Sequence, residues 1–386
     1  MNGLNDLPRV VLVGTGVVGL AILKAHLDSN VSVCVSDQNQ DSLQAAVDSL
    51  QLDTDNWRIN PDSIGPLSVI SLSHQLGNSP RNPTPSPWIV IESIPENLDI
   101  KQRFFRDAQQ IFGDDAILCS NTSTLRIGSI GNGLPRPDRI CGMHFFMPVD
   151  QRPAVEIVRT SETDDDVTAF CRQHADRIGK SPLVVADQPG FIVNRLLSPY
   201  LNQSLLLLAH GVDSDRIERA ALAYGMPLSP LELIDWIGTR TMFDAGRAFW
   251  QAFPNRIDPS PIVPALVKQK RAGRATSAGL FDYIQEQRSP QLAPQAQAVI
   301  DRYKLDPIEF TDDDLLHLLA IPMWIEADLA FRDGVTQSLD DFDLAMSGGL
   351  GYQHPARWRG FFESLGRATI DNAIERWSGQ FKSMRR

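Results

Sequence analysis

Runs of apolar residues alternate with helical patterns over the first half of the chain. Short runs rich in Val, Ile and Leu predict buried strands, because such strands are covered on both faces. These runs are residues 9–13, 31–36, 88–94, 116–120, 140–146, 154–158 and 179–186. Apolar-faced helices are predicted between several of them, including one helix over residues 38–60. Residues 77–87, rich in Pro, Ser and Asn, are predicted to form an exposed loop.

The second half has helical periodicity. Residues 191–209 place Ile192, Leu196 and Leu201 on one apolar face, Gly211 ends this predicted helix, and Ser214 begins the next one. Most of this leucine pattern is typical of a core rather than of ligand contacts.

A weak internal repeat follows the first helical segment. Leu318 to Pro322 and the pair Gly334-Val335 resemble Leu196 to Pro199 and Gly211-Val212 at a constant offset. We interpret residues 300–386 as a degenerate second copy of the helical domain. This copy is expected to cover the apolar surface of the first one within the chain, giving a monomer or a homodimer. The predicted domains are residues 1–187, 188–290 and 300–386.

A glycine pattern links the first predicted strand to the first helix. Gly14 permits a tight turn, Gly16 lets the backbone approach a pyrophosphate, and Gly19 allows close packing of helix on strand. Asp37 ends the second strand, where it can accept hydrogen bonds from both ribose hydroxyls and would repel a 2′-phosphate. The sequence therefore predicts an α/β N-terminal Rossmann-like dinucleotide-binding domain, with NAD preferred over NADP, followed by all-α C-terminal domains in two tandem copies.

A histidine and a glutamate are predicted to meet across a loop. The runs 140–146 and 154–158 flank a segment with Pro148 and Pro153, which can fold the runs back so that His144 and Glu156 become neighbours. A carboxylate fixes the tautomer of an imidazole and favours the imidazolium, as a proton-accepting histidine requires. A purely structural hydrogen bond is the alternative.

Four motifs resemble the 3-hydroxyacyl-CoA dehydrogenase family, and the resemblance runs from the N-terminal glycines to about Tyr283. The motifs are Ser120-Asn-Thr-Ser-Thr-Leu125, Gly142-Met-His-Phe-Phe146, Ala154-Val-Glu-Ile157 and Asp187-Gln-Pro-Gly-Phe-Ile-Val-Asn-Arg195. The resemblance implies that His144 and Glu156 carry out the proton chemistry, that Ser123 is the active-site serine, and that Asn194 is the asparagine of the last motif. Glu92 resembles the family's nicotinamide-side glutamate. The predicted cofactor-binding residues are Gly14, Gly16, Val17, Val18, Gly19, Asp37, Glu92, Lys101 and Asn121.

Three departures from the family pattern concern the substrate. Met147 stands where the family has Asn, residues 38–60 contain no lysine, and the family's G-x-K-T-G-x-G-F-Y segment appears as residues 273–281 without its lysine and with Ser277 for one glycine. The resemblance implies NAD-dependent oxidation of a 3-hydroxyacyl-CoA. The alternatives are a dehydrogenase of a free 3-hydroxy acid or sugar acid, and an NAD-binding relative that has lost turnover.

The composition of the chain restricts the classes of partner that the protein is expected to bind. A net charge of −11 argues against nucleic acid or an anionic membrane surface, which leaves a small-molecule substrate. The four cysteines have neither metal-ligand nor disulfide-framework spacing, so buried thiols and no metal site are expected. Residues 1–9 lack the features of a signal peptide, and the longest apolar run is too short to cross a bilayer. A cytoplasmic location is therefore expected. The basic segment 268–274 is either a phosphate-binding patch or a set of helix-end cations that face water.

Overall fold

The computed structural model describes residues 8–53, 55–64, 67–74 and 87–386. The chain divides into two compact units, Met1–Gln188 and Pro189–Arg386. The loop predicted at residues 77–87 lies, except for Pro87, outside the described residues.

The first unit alternates strands and helices. Its strands are β1 Val10–Val13, β2 Val33–Ser36, β3 Trp57–Ile64, β4 Leu67–His74, β5 Ile89–Glu92, β6 Ile117–Ser120, β7 Ile140–Phe145, β8 Ala154–Arg159 and β9 Ser181–Ala186. Its helices are α1 Val17–Asp28, α2 Gln40–Ser49, α3 Leu98–Phe112, α4 Ile127–Ile130 and α5 Asp165–Arg177, with a 3₁₀ turn at Pro137–Arg139.

Within the described residues these strands form a nine-stranded sheet in the order β3-β4-β2-β1-β5-β6-β7-β8-β9. The strands β2, β1, β5, β6 and β7 pair in parallel, whereas β7 and β8 pair in antiparallel. The residues of β1, β2, β5 and β6 are all buried, as the apolar runs predicted. Strand β2 lies on one side of β1 and β5 lies on the other. This reversal in the order of the strands creates a crevice at their carboxyl ends.

The single helix predicted for residues 38–60 is wrong. Helix α2 ends at Ser49, Gln51 takes a left-handed backbone with φ of 48°, and Trp57 begins strand β3. β3 is an edge strand whose residues are mostly exposed, and it carries Pro61, which an edge strand tolerates. Because one face of β3 meets water, it lacks the apolar run that marks the central strands.

Two buried histidines join α1 to α5. His26 Nδ1 lies 2.8 Å from the carbonyl oxygen of Ile22, and His26 Nε2 lies 2.9 Å from Nε2 of His174. Since Nδ1 must donate to the carbonyl, Nε2 of His26 accepts the proton that His174 donates. Burial lowers the pKa of His26 to about 4 and the pKa of His174 well below its ordinary value. Both rings are therefore neutral in the folded protein at pH 7.

This pair is expected to make the protein sensitive to acid. An unfolded histidine binds its proton near pH 6.5, whereas His26 in the folded protein binds one only near pH 4. The stability that the neutral pair contributes is complete above about pH 6.5 and is lost as the pH falls toward 4, by about 3 kcal/mol for His26. Urea unfolding at pH 7 and at pH 5 measures this loss. The variant with His26→Leu and His174→Leu should show a shallower pH dependence, and an equal slope would contradict this account.

The second unit is mainly helical. Its helices are α6 Val193–Ala209, α7 Ser214–Tyr224, α8 Pro230–Ile237, α9 Thr239–Ala252, α10 Ile262–Lys268, α11 Pro294–Arg302, α12 Asp312–Arg332, α13 Asp340–Leu344, α14 Arg357–Leu365 and α15 Arg367–Trp377. A short hairpin joins β10 Tyr283–Ile284 to β11 Gln287–Arg288. Residues Ala345–Leu350 form a π-helical turn, and Arg274–Thr276 and Lys382–Met384 form 3₁₀ turns.

Helices α6 and α12 pack against each other at the centre of the second unit. α6 is buried on nearly every side, which explains why its sequence is apolar or small around most of its circumference. A cluster of four charges links the two helices. Nε of Arg195 lies 2.7 Å from Oε1 of Glu326, and its Nη2 lies 2.8 Å from Oδ2 of Asp333. Arg256 contacts the same two carboxylates at 2.7 and 2.9 Å.

All four cysteines are free thiols and all are buried, as the sequence predicted. In the described part of the chain, no helix is both long and apolar enough to cross a membrane. Nor do the described residues bring three His, Cys, Asp or Glu side chains together where a metal ion could bind.

Candidate active site

The glycine loop between β1 and α1 has the geometry that its sequence predicted. Gly14 has a φ of +95°, and a Cβ atom there would lie 2.7 Å from the carbonyl oxygen of Ser93. A Cβ atom at Gly19 would lie 1.9 Å from the carbonyl oxygen of Gly14, so this helix residue must be glycine for α1 to pack on β1. A Cβ atom at Gly16 would meet no atom of the described part of the chain within 4 Å.

The open space at Gly16 lies at the N-terminus of α1. Among the described residues no side chain caps this helix end. Val17 in its first turn exposes 78% of its surface, while Val18 is partly buried. The first N–H groups of a helix lack intrahelical partners, and they attract negative charge. The loop and the helix end can therefore bind a pyrophosphate group.

Asp37 follows β2 at the edge of the same loop. Its Oδ2 accepts hydrogen bonds from the backbone N–H of Thr15 at 2.7 Å and from the Thr15 hydroxyl at 2.9 Å, and its Oδ1 accepts one from Asn39 N–H at 2.9 Å. Burial alone would raise the pKa of Asp37, but these hydrogen bonds outweigh it and lower the pKa below its ordinary value. The carboxylate is thus ionised at pH 7 and repels a 2′-phosphate. The sequence did not single out Thr15 as its partner.

The predicted hairpin places His144 directly opposite Glu156. The two residues are register partners across β7 and β8, and Nδ1 of His144 lies 2.7 Å from Oε2 of Glu156. The glutamate side chain is completely buried, whereas that of His144 retains slight exposure. The ring of Phe146 meets the imidazole edge to face, with 4.8 Å between ring centroids. The imidazole is therefore fixed in orientation by a carboxylate on one side and an aromatic ring on another.

Ser123 completes a series of three polar side chains. Its Oγ lies 3.1 Å from Nε2 of His144, so the serine and the glutamate contact opposite nitrogens of one imidazole. Ser123 follows β6 and His144 lies near the end of β7, and these neighbouring parallel strands place both side chains at the same edge of the sheet. Such an arrangement can accept a proton from a hydroxyl group that binds beside Ser123.

Asn121 and Lys101 are held by protein groups near this edge. Asn121 Oδ1 accepts a hydrogen bond from Phe145 N–H at 2.8 Å, and its Nδ2 donates to Ser93 Oγ at 3.3 Å. Nζ of Lys101 lies 2.8 Å from each carboxylate oxygen of Glu92. Asn121 thus ties the loop after β6 to β7, and Lys101 and Glu92 form an ion pair.

The structure leaves Glu92 little access to a ligand. Glu92 is 0% exposed, and Ser120 also donates a hydrogen bond to it. Burial raises the pKa of Glu92, although Lys101 acts in the opposite direction. Four residues later, Glu96 exposes 39% of its side chain and hydrogen-bonds to residues 122–124. Sequence reasoning missed Glu96. The signal that it offered was a carboxylate just before the Asn97 cap of α3, beyond the end of a central strand.

Asn194 lies in the first turn of α6, in the second unit, and is partly exposed. Its contribution to a site with Ser123, His144 and Glu156 stays a prediction.

Comparison with known proteins identifies the family. The profile of the 3-hydroxyacyl-CoA dehydrogenase NAD binding domain matches residues 9–188, and the profile of the 3-hydroxyacyl-CoA dehydrogenase C-terminal domain matches residues 190–283. The chain belongs to the 3-hydroxyacyl-CoA dehydrogenase family. Its members are NAD-dependent oxidoreductases, and the cofactor of the first unit is NAD.

Relatives of this family member include long proteins of fatty acid oxidation. The chain is 30% identical over 381 residues to the glyoxysomal fatty acid beta-oxidation multifunctional protein MFP-a of Brassica napus, with 96% of the chain and 52% of the relative covered. It is 34% identical over 269 residues to the fatty acid oxidation complex subunit alpha of Pseudomonas aeruginosa, with 68% and 38% covered. The chain thus spans about half the length, or less, of these curated relatives.

A crystal structure shares the fold over nearly the whole chain. The 3-hydroxybutyryl-CoA dehydrogenase of Escherichia coli K12 matches with a TM-score of 0.73 and 20% identity, over 98% of this chain and 96% of that one. At this identity the match describes the fold alone. It agrees with a Rossmann-like first unit and a mainly helical second unit.

One departure from the 3-hydroxyacyl-CoA dehydrogenase pattern lies at an exposed position, and a glycine that matches the pattern has a structural role. Met147, in place of the family's Asn, follows Phe146 and exposes 44% of its surface. In the segment 273–281, Asp235 Oδ1 accepts a hydrogen bond from Leu280 N–H at 2.6 Å, and its Oδ2 accepts one from Phe281 N–H at 2.9 Å. A Cβ atom at Gly279 would lie 2.0 Å from Asp235. This glycine is therefore required by a structural carboxylate.

Two arginines of the basic segment 268–274 have protein partners. Nε of Arg271 donates to the carbonyl oxygen of Gly279 at 2.6 Å, and the guanidinium of Arg274 lies 3.8 Å from the ring centroid of Trp236. Both side chains are therefore held by groups of the protein.

Ser277 occupies the position where the 3-hydroxyacyl-CoA dehydrogenase pattern has a second glycine. It has φ of 57° and ψ of 15°, a left-handed conformation that glycine adopts without strain, and its side chain is exposed.

The variant Ser277→Gly is expected to be more stable than the natural protein by about 0.5–1 kcal/mol, because it removes the strain of a left-handed serine. Urea unfolding measures the change. Ser364→Gly, in the last turn of α14, is the control and should lose up to about 0.5 kcal/mol, since glycine is a poor helix former. A destabilised Ser277→Gly variant would contradict the proposed strain.

Proposed function

We propose that this protein oxidises the hydroxyl group of a 3-hydroxyacyl-CoA to the ketone, or reduces the ketone in the reverse direction, with NAD as the redox partner. The observation that supports this best is the series Ser123–His144–Glu156 at the carboxyl edge of a dinucleotide-binding sheet. An imidazole backed by a buried carboxylate is suited to remove the proton of a secondary alcohol while the carbon loses hydride.

Each side chain has a distinct part in this proposal. His144 accepts the hydroxyl proton at Nε2, and Glu156 stabilises the imidazolium through Nδ1. Ser123 donates a hydrogen bond to the substrate oxygen beside His144. Asn194 holds a second substrate oxygen, a role that rests on the resemblance of its motif to the family pattern. Because Glu156 is completely buried beneath His144, water does not weaken the charge interaction between them.

The residues of the first unit fit NAD. The open space at Gly16, the uncapped N-terminus of α1 and the ionised Asp37 suit a pyrophosphate and a ribose without a 2′-phosphate. The cofactor neighbours that stay predictions are Val17, Val18, Glu92, Lys101 and Asn121. When bound, NAD supplies the acceptor for the hydride.

The thioester substrate is supported by the names of the relatives, which include fatty acid beta-oxidation proteins, and by the family profiles. These comparisons do not favour a free hydroxy acid or a protein without turnover. A substrate panel tests the choice. Acetoacetyl-CoA is compared with free 3-keto and 3-hydroxy acids, and reaction is followed by NADH absorbance. Turnover with the thioester supports the proposal, whereas turnover with the free acids alone would overturn it. If every substrate fails while NADH binds tightly, Met147→Asn tests whether Met147 disables the site.

We also propose that residues 188–290 and 300–386 are two copies of one helical domain, after a first domain at residues 1–187. Helices α6 and α12 each contain an internal proline, Pro199 and Pro322, at positions 123 apart. Each helix is followed by a glycine with positive φ, +90° at Gly211 and +73° at Gly334.

The hydrogen bonds at these helix ends correspond as well. Val212 N–H donates to the carbonyl oxygen of Leu207 at 3.1 Å, and Val335 N–H donates to that of Ala330 at 3.0 Å. These four residues keep the offset of the two prolines. The same kind of helix end therefore recurs at the place that the sequence repeat predicts.

The correspondence continues beyond the first helix of each copy. Gly238 ends α8 and begins α9, and Gly366 ends α14 and begins α15, with φ of 89° and 82° and ψ of 136° and 143°. The offset between the copies grows along the chain, and the π-helical turn Ala345–Leu350 accommodates an extra residue. Because α12 packs on α6 within one chain, we expect the protein to depend little on dimerisation. Light scattering measures the oligomeric state. An obligate dimer that forms through residues 191–290 would contradict this expectation.

A further inference from the structure

The loop after β6 positions Ser123 with little regular structure of its own. Residues 121–124 belong to neither strand nor helix, yet the Ser123 hydroxyl lies 3.1 Å from Nε2 of His144. On one side the loop is tied to β7, since Asn121 Oδ1 accepts the N–H of Phe145. The side-chain hydrogen bonds of Asn121 to Phe145 and Ser93 hold the first residue of the loop, so residues 122–124 need a second attachment.

Glu96 provides that second attachment. Its Oε1 accepts hydrogen bonds from the Thr122 hydroxyl at 2.7 Å, the Ser123 N–H at 3.2 Å, and the N–H and hydroxyl of Thr124 at 3.0 and 2.7 Å. Four donors from three consecutive residues thus converge on one carboxylate oxygen. The backbone of Ser123 itself is one of them.

The groups around Glu96 also keep its carboxylate ionised. Burial by itself would raise the pKa of Glu96, but the Thr122 hydrogen bond and the ammonium group of Lys101 lower it below the ordinary value. Nζ of Lys101 lies 3.6 Å from Oε2 of Glu96. Lys101 is in turn fixed by two 2.8 Å contacts to the fully buried Glu92. The Glu96 carboxylate therefore has a defined position relative to the sheet.

We propose that Glu96 is a positioning residue, which holds the loop 122–124 so that the Ser123 hydroxyl meets His144. The inference rests on the proposed function, because it assigns to Ser123 a hydrogen bond with the substrate oxygen. It also gives different roles to two glutamates, Glu92 at the end of β5 and Glu96 just beyond it. Glu92 orients Lys101 from inside the protein, and Glu96 orients the serine loop from its edge.

Acceptance of hydrogen bonds is the property that this role requires. A glutamine at position 96 retains one acceptor oxygen at the same reach, whereas an alanine retains none. If the charge of Glu96 mattered instead, glutamine and alanine would be equally harmful. The two substitutions therefore distinguish a geometric role from an electrostatic one.

The experiment compares the natural protein with Glu96→Gln, Glu96→Ala and Glu162→Ala, the last being an exposed glutamate of the same unit. Turnover of acetoacetyl-CoA with NADH gives kcat and both KM values, and thermal melting verifies folding. Glu96→Ala should lower kcat by about 10- to 100-fold, because a displacement of about 1 Å at a reacting group has effects of this order.

Glu96→Gln should keep kcat within about threefold of the natural protein, and Glu162→Ala should not change it. Full kcat in Glu96→Ala overturns the proposal. So does an equal loss in Glu96→Gln and Glu96→Ala.

A measurement that does not need turnover separates this inference from the proposed function. Long-range proton–nitrogen NMR reads the Nε2 resonance of His144, assigned with the variant His144→Ala. Glu96→Ala should shift this resonance, because it releases the Ser123 hydroxyl, whereas Glu96→Gln and Glu162→Ala should leave it in place. An unchanged resonance in Glu96→Ala overturns the positioning role even if no substrate is turned over. Inactivity of the natural protein with all substrates would instead count against the proposed function alone.

Discussion

His144→Ala is expected to lower kcat by about 10²- to 10⁴-fold, because it removes the group that accepts the substrate proton. The glycine loop and Asp37 lie at other strand ends and keep their contacts, so the dissociation constant for NADH should change by less than about threefold. Turnover of acetoacetyl-CoA, measured by NADH absorbance, gives the first quantity. Quenching of protein fluorescence by NADH gives the second.

Two further variants sharpen this test. Glu156→Gln leaves His144 a neutral partner and is expected to retain part of the activity, because it removes the charge that stabilises the imidazolium but not the hydrogen-bonding side chain. His354→Ala, in the second unit, is the control and should not change kcat. Full turnover in His144→Ala would remove the basis for the assigned proton chemistry.

Glu326→Ala is expected to destabilise the protein by about 3–5 kcal/mol, because it leaves buried guanidinium charge without its main partner. Arg195 is 0% exposed and loses its contact at 2.7 Å, and Arg256 loses another at the same distance. Asp333 then remains as a carboxylate partner of both arginines. Urea unfolding followed by circular dichroism measures the change. Glu363→Ala, at an exposed position of α14, should change the stability by less than about 0.5 kcal/mol.

An apolar replacement is expected to recover much of this loss. Burial raises the pKa of Glu326 even though both guanidinium groups act to lower it, so the cost of burying the carboxylate is not fully offset. The double variant Arg195→Met with Glu326→Leu removes two buried charges at once, while Arg256 can turn to solvent. It should be more stable than Glu326→Ala. A double variant as unstable as the single one would show that the cluster stabilises α6 against α12 beyond charge balance.

Local patterns in the sequence were sufficient to predict much of the structure of the first unit. Gly14, Gly16 and Gly19 have the turn, the open space and the close packing that their spacing predicted. His144 and Glu156 meet across the predicted hairpin. These predictions succeeded because each depends on a backbone feature or a register that a few neighbouring residues determine.

Predictions were less complete for features that depend on the tertiary contacts of a residue. The strands β3 and β4 were missed, although Val69 and Leu72 are buried and their serine neighbours gave a partial alternation. The family resemblance pointed to Glu92 and did not include Glu96, because a sequence motif does not show which carboxylate the protein covers.

By itself the sequence determined the α/β order of the first unit, the dinucleotide loop and the pairing of His144 with Glu156. Tertiary structure decided which charged groups face each other in the interior. Lys101 lies between Glu92 and Glu96, and Arg195 meets Glu326 from a helix far along the chain. The physical reason is that turns and strand registers follow from local sterics and apolar spacing. The partner of a buried charge is instead set by whichever distant element packs against it, and no local pattern records that element.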